Sequence, residues 1–208
     1  MARNTGPVCR MCRREGTKLF LKGSRCDTPK CGLERHESPP GMQSFRRTKS
    51  TDYGIHLREK QKVKRYYGVL ERQFREYFRR AERTKGNTGE VLMSLLERRL
   101  DNVVHRLGFG QSRVQARQIV CHGHITVNGR RLDIPSYSVR PGDVIRVKNR
   151  PKSMQQVQAN LAESGGEVPD FITLVPGPEP EGHVVRLPEA ADVSIPVQSQ
   201  LIVELCSK

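Results

Sequence analysis

The sequence has no tryptophan, and aromatic residues make up only 5% of its 208 residues. Apolar residues reach 35%. That is lean for one large core and predicts small cores joined by segments that depend on a partner or a metal. No apolar run approaches the roughly 18 residues that a membrane-spanning helix needs. The opening Met1-Ala2-Arg3-Asn4 has no apolar stretch behind it, which argues against a secretory leader and for a cytoplasmic protein. Enzyme signatures are equally scarce. Gly108-Phe109-Gly110 lacks the third glycine of a dinucleotide fingerprint, and no His-Glu-x-x-His or Gly-x-Ser-x-Gly occurs. An RNA-modifying enzyme would need an added catalytic domain, and no segment of this chain has room for one.

Positive charge is abundant and unevenly spread. The formal net charge is +15. The first 100 residues hold 25 Lys+Arg against 11 Asp+Glu, residues 101–150 hold 9 against 3, and residues 151–208 hold 3 against 8. A chain basic for 150 residues and then mildly acidic reads as a polyanion binder with a solvent-facing end. An anionic membrane surface would also attract it, but no basic segment carries the wide apolar face that such binding requires.

Periodicity predicts the elements. Residues 1–50 show little. A helix is expected from Asp52 to about Tyr67, ended by Gly68, and a second over about 70–84 from Leu70, Phe74, Tyr77, Phe78 and Ala81. Asn87 and Glu90 resemble a capping box before apolar helix that continues to Gly108. Ser112 with Gln115 opens a short helix that ends near Gly123. Ile125-Thr126-Val127, Asn128-Gly129 and Arg130-Arg131-Leu132-Asp133-Ile134 read as a hairpin with a two-residue turn, since Asn-Gly supplies the two positive φ values. Val144–Val147 follows as a third strand. Signals then weaken to a helix near 153–162, a loop at 176–180 and a final strand over Leu201–Leu205.

The cysteines carry the most specific chemistry. Cys9-x2-Cys12-x13-Cys26-x4-Cys31 offers four soft ligands for a tetrahedral metal. A short irregular segment of this kind buries too little apolar surface to fold alone, and metal binding would supply the difference. Structural Zn²⁺ is the expected cofactor, with an iron–sulfur cluster on the same four thiolates as the alternative. Two disulfides or four unliganded thiols are the plainer readings, and the former runs against a cytosolic setting. Cys121 and Cys206 read as ordinary thiols. Farther along, Arg113 and Arg117 lie at i, i+4 on one helix face. With His122, His124, Arg130 and Arg131 they form a helix–hairpin surface able to straddle an RNA backbone; a solvated charged face is the bland alternative.

Several of these segments carry a resemblance. Arg98-Arg99-Leu100-Asp101-Asn102-Val103-Val104-His105-Arg106-Leu107-Gly108-Phe109, Ser112-Arg113-x-x-Ala116-Arg117-Gln118-x-Val120, Gly123-His124-Ile125-x-Val127-Asn128-Gly129-Arg130 and Pro141-Gly142-Asp143 closely resemble the S-four RNA-binding domain. Upstream, Cys9-Arg10-x-Cys12-Arg13-Arg14-Glu15-Gly16, Asp52-Tyr53-Gly54, Leu57–Lys62 and Tyr67–Phe74 resemble bacterial small-subunit ribosomal protein number four, in its four-cysteine form, as does the closing Leu201–Lys208. Residues 150–195 lack strong matches. Where the family commonly reads Pro-Gly-Gln-His-Gly, this chain has Pro40-Gly41-Met42-Gln43-Ser44.

The resemblance implies a ribosome-bound, non-catalytic protein that binds the 5′ domain of small-subunit rRNA early in assembly. It also implies contact with ribosomal protein number five, an influence on decoding accuracy, and an mRNA contact where the message enters, through Arg46, Arg47 and Lys49. The rRNA-contacting candidates are Arg3, Arg10, Arg13, Arg14, Lys22, Arg58, Lys60, Lys62, Lys64, Arg65, Arg72, Gln73, Arg113, Arg117, Gln118, His122, His124, Asn128, Arg130 and Arg131. A free-standing RNA chaperone is the competing class; it would have no need of the cysteine knuckle and upstream helices. The expected fold is α+β: a metal knuckle over 1–45, a helical domain over 46–96 with 196–208 packing back on it, an RNA-binding module over 97–150 with a small, mostly antiparallel sheet, and an acidic, loop-rich extension over 151–195.

Overall fold

The helix expected from Asp52, α3 (Asp52–Tyr66), begins there and is capped by the residue before it. Thr51 is the cap, its Oγ1 accepting from the Gly54 amide at 3.2 Å. These positions come from a computed structural model of the chain, in which residues 4–42, 49, 51–163 and 168–207 are described. Arg3, Arg46 and Arg47 lie outside the described residues.

The chain divides into two compact units, residues 1–92 with 195–208, and residues 93–194. In the first unit, α1 (Cys9–Glu15), a 3-10 turn (Gly23–Asp27) and α2 (Gly32–Arg35) lead to α3 and to α4 (Glu71–Arg83). Phe74, Tyr77, Phe78 and Ala81 recur along one face of α4 and are buried, as are Val63 and Tyr66 on α3. Each large side chain so buried contributes about 2 kcal/mol. Leu201–Leu205 is not the expected strand. It lies in helix α9 (Ser199–Cys206), which packs on α3 and buries Ile202 completely. The run is rich in β-formers, but packing on α3 overrides propensity.

Helix α5 (Thr88–Glu97) crosses the division between the units. The single helix expected up to Gly108 is in fact two. Arg99 is extended, at φ −67° and ψ 135°, before α6 (Leu100–Arg106), and its backbone bridges Ser138 while the Leu100 amide donates to the Tyr137 carbonyl at 2.9 Å. Helix α7 (Arg113–Cys121) packs on α6 and is capped by Ser112, whose Oγ accepts from the Gln115 amide.

The sheet follows from alternation of apolar residues. β1 (Ile125–Val127) and β3 (Val144–Val147) occur where expected, while the second hairpin strand is shorter than the expected Arg130–Ile134, β2 covering only Arg130–Arg131, with Asn128 at φ 50° and Gly129 at φ 77° in the turn. Ile125, Val127, Ile145 and Val147 point into the core; Arg146 points out. Helix α8 (Pro151–Glu163) then leads to two strands that the sequence did not announce, β4 (Ile172–Val175) and β5 (Glu181–Val184). They join the same antiparallel sheet in the order β2-β1-β3-β5-β4, with Val144 opposite His183 and Ile172 opposite Val184. The acidic stretch is therefore sheet as well as loop. Among the described residues the architecture is α+β, with nine α-helices and one antiparallel five-stranded sheet.

Candidate nucleic-acid interface

A cation can meet a phosphate only if it is open to solvent and not already held by a carboxylate. That criterion sorts the candidate residues. On α3, all five are engaged within the chain. Lys60 and Lys64 reach Glu71 at 2.7 and 3.0 Å, Lys62 meets Glu59 at 2.5 Å, and Arg58 meets Glu15 at 3.3 Å, where Arg65 also lands. Burial acts to raise the Glu71 pKa, but hydrogen bonds from Lys60 and Lys64 outweigh it and hold the carboxyl at about 2. Glu15 is fully enclosed and ties α1 to α3; its burial pushes its pKa up against the pull of Arg65 and Arg58.

Arg113 and Arg117 do share a face, but it is the inner one. Both are 7% exposed. Arg113 Nε donates to Asn102 Oδ1 at 2.9 Å, and Arg117 Nη1 to Asp101 Oδ2 at 3.2 Å. Arg99 grips the same Asp101 with two hydrogen bonds of 3.0 and 2.6 Å, while Asn102 and Arg106 bond Glu97. The expected basic surface at Arg113 and Arg117 is a buried polar network fastening α6 to α7. His105, nearby, is held down to about 4 by burial and by Arg113, so it is neutral at physiological pH. Asn128 is also committed: its amide donates to Asp143 Oδ1 and accepts from the Val144 amide, both at 2.9 Å.

The open candidates are Arg10, Arg14, Lys22, Arg72, Gln118, His122, Arg130 and Arg131, while Arg13, Gln73 and His124 are half-buried. Lys49 is exposed. Arg13 donates to the Ser38 carbonyl at 2.9 Å, and His124 shares a 3.0 Å hydrogen bond with Ser153 Oγ. In the second unit Arg131, whose nearest carboxylate among the described residues is Asp133 at 3.9 Å, lies across Gly123 so closely that a Cβ there would stand 2.2 Å from its Nε. The His124 pKa is lowered by burial first and then by its neighbours His122, Arg150, Lys148 and Arg131. Lys148 and Arg150 were not among the sequence candidates. Neither were Arg75, Arg79 and Arg80 on α4, whose side chains are 63–68% exposed and meet carboxylates only across 3.4–3.9 Å. They sit opposite Phe74, Tyr77, Phe78 and Ala81, so the apolar period of α4 already marked them as outward.

The four cysteines line one pocket together with Val8, Leu21 and Leu33. Gly32 makes their approach possible, since a Cβ on it would lie 2.9 Å from Cys9 Cβ. The Lys22 amide donates to Cys26 Sγ at 3.4 Å. Among the described residues, no group of three or more His, Cys, Asp or Glu is disposed to hold a metal ion as it stands. The donor set is right for a thiolate site; its closed coordination geometry is not shown. No helix among the described residues is long and apolar enough to cross a membrane.

Residues 3–97 match the family described as the ribosomal protein S4/S9 N-terminal domain, and residues 98–145 match the S4 domain. Relatives named small ribosomal subunit protein uS4 include those of Thermoanaerobacter sp. (strain X514), 56% identical, Thermodesulfovibrio yellowstonii, 54%, and Thermus thermophilus, 53%, each over the full length of both chains. The chain belongs to the uS4 family of ribosomal proteins.

Proposed function

We propose that this chain is a structural, non-catalytic component of the small ribosomal subunit that binds its rRNA, in the cytoplasm. The observation that carries the reading is the full-length identity with uS4 proteins, and the open cations on both units agree with it. On the finer level, the protein binds the 5′ domain of the rRNA early, nucleates assembly of the subunit body, contacts ribosomal protein number five and thereby bears on decoding accuracy. Arg46, Arg47 and Lys49 meet mRNA where it enters. These details rest on the family resemblance.

Cys9, Cys12, Cys26 and Cys31 hold one structural Zn²⁺, with an iron–sulfur cluster as the alternative. A metal bound there contributes folding free energy to a segment poor in apolar residues. The shared pocket and the thiolate donor set support this.

Phosphate contacts dominate such binding. With about 6–10 phosphates neutralised, affinity for small-subunit rRNA falls about 10³- to 10⁵-fold between 50 and 200 mM salt. A salt titration of the full chain checks this, and an association indifferent to salt would refute it. Sedimentation separates the competing class, because a free-standing RNA chaperone stays apart from small subunits in cell extracts.

A further inference from the structure

The hairpin of the second unit carries a second feature, apart from the basic cluster around His124. A cavity of about 460 Å³ is lined by Val127, Asn128, Arg130, Leu132 and Tyr137. Its size lies within the range of about 300–1,000 Å³ typical of small-ligand sites. Its walls combine aliphatic side chains, one aromatic ring and one exposed cation, Arg130, for which no carboxylate partner is seen among the described residues.

The cavity is built rather than incidental. Asp143 is 7% exposed and holds two of its lining residues, Asn128 and Tyr137, together with the loop at Arg140. It accepts from Asn128 Nδ2 at 2.9 Å, from the Arg140 amide at 2.8 Å and from the Tyr137 hydroxyl at 3.4 Å. One carboxylate thus fixes the hairpin turn, the loop before β3 and the far end of the Tyr137 ring. A site ordered in advance loses less entropy when it binds. Burial and then the Asp143 charge raise the Tyr137 pKa, and Arg140 acts in the opposite direction, so the pocket's positive charge comes from Arg130 and Arg140 against one buried carboxylate.

An A-form duplex shows phosphates and 2′-hydroxyls across its shallow groove but buries its base faces, whereas unpaired bases can be splayed out and stacked on aromatic rings. We propose that this cavity takes one unpaired base of the bound RNA, stacked against Tyr137 beside Leu132 and above the buried Val127, with Arg130 on the adjoining phosphate. The inference rests on the reading of the chain as an rRNA binder and adds a single-stranded contact to it.

Three variants of the full chain, measured against full-length small-subunit rRNA, test it. Tyr137→Leu keeps apolar bulk but removes the ring; binding weakens about fivefold to a hundredfold at every salt concentration, leaving the salt slope unchanged. Tyr137→Phe keeps the ring and loses only its tether to Asp143, so it weakens binding less than Tyr137→Leu does. Arg130→Gln weakens binding and lowers the salt slope by about one. Ultraviolet cross-linking of the wild-type chain needs no variant, and its adducts map within residues 127–137 on an unpaired nucleotide. Unweakened binding by a folded Tyr137→Leu chain, or adducts at this segment only on paired nucleotides, would overturn the pocket alone. Should Tyr137→Leu not fold, the cross-link decides. A wild-type chain that does not bind the rRNA overturns the rRNA reading and the pocket together.

Discussion

Arg117 shows how a residue with the right spacing can have the opposite role. An i, i+4 arginine pair on a short helix is legible in the sequence as one face, but whether that face meets solvent depends on what lies beneath it. Here Asp101 and Asn102 on α6 complement Arg117 and Arg113 from the inside. Nothing in the local sequence around residue 113 distinguishes this from a solvated face, because the partners sit 11 and 16 residues away. The consequence is measurable. Arg117→Gln removes one donor from a buried carboxylate that keeps Arg99, so it costs about 1–3 kcal/mol of stability, read as a lower urea midpoint. It leaves the salt slope of rRNA binding unchanged. A variant of native stability with a slope lowered by about one would return Arg117 to the RNA-facing surface.

The elements divide according to how local their causes are. Helices α3, α4 and α7 and the β1–β2 hairpin were legible because each has its own signal: a cap, an apolar period, an Asn-Gly turn. β5 was not, because Glu181-Gly182-His183-Val184 holds a glycine in mid-strand, where glycine is normally unfavourable. The glycine is needed for packing: a Cβ on Gly182 would stand 2.3 Å from Leu107 Cδ1, and Leu107 lies far away in sequence. α9 was misread for a related reason, its β-rich run being helical where it rests on α3. The open side of α4 was readable, although only Arg72 among its arginines stands with the sequence candidates and Arg75, Arg79 and Arg80 do not. Its arginines are well exposed and only loosely paired with carboxylates, so such pairs add about 1 kcal/mol or less to stability. Replacing Arg72, Arg75 and Arg79 together with glutamine leaves the melting temperature nearly unchanged and lowers the salt slope of rRNA binding by about two to three. The same triple change on an RNA-facing helix must weaken binding almost uniformly across sequences. An unchanged slope would remove α4 from the interface and leave the cluster around His124 as the main contact.

At the scale of the whole molecule, the basic majority of the chain is partly self-neutralised. Charge counting overstates the interface because Glu15, Glu59 and Glu71 each hold cations that the sequence offered to RNA. The same distinction between internal and external use applies to the cysteine segment, whose residues line a pocket of their own. If a metal closes that pocket, its loss should be felt locally, since the second unit has its own core from Leu100 to Val184. Cys9→Ser combined with Cys26→Ser removes one thiolate from each half of the motif and leaves two ligands, too few for a closed tetrahedral site. Bound metal then falls to background, and amide exchange accelerates over residues 4–42, while amides of Val103, Ile125 and Ile145 keep their protection. Elemental analysis with visible absorbance separates zinc, which is colourless, from an iron–sulfur cluster in the wild-type chain. Wild-type metal content in the double variant refutes the ligand assignment. Loss of metal without faster exchange at residues 4–42 would mean that the segment folds through Glu15 and its arginines rather than through the metal.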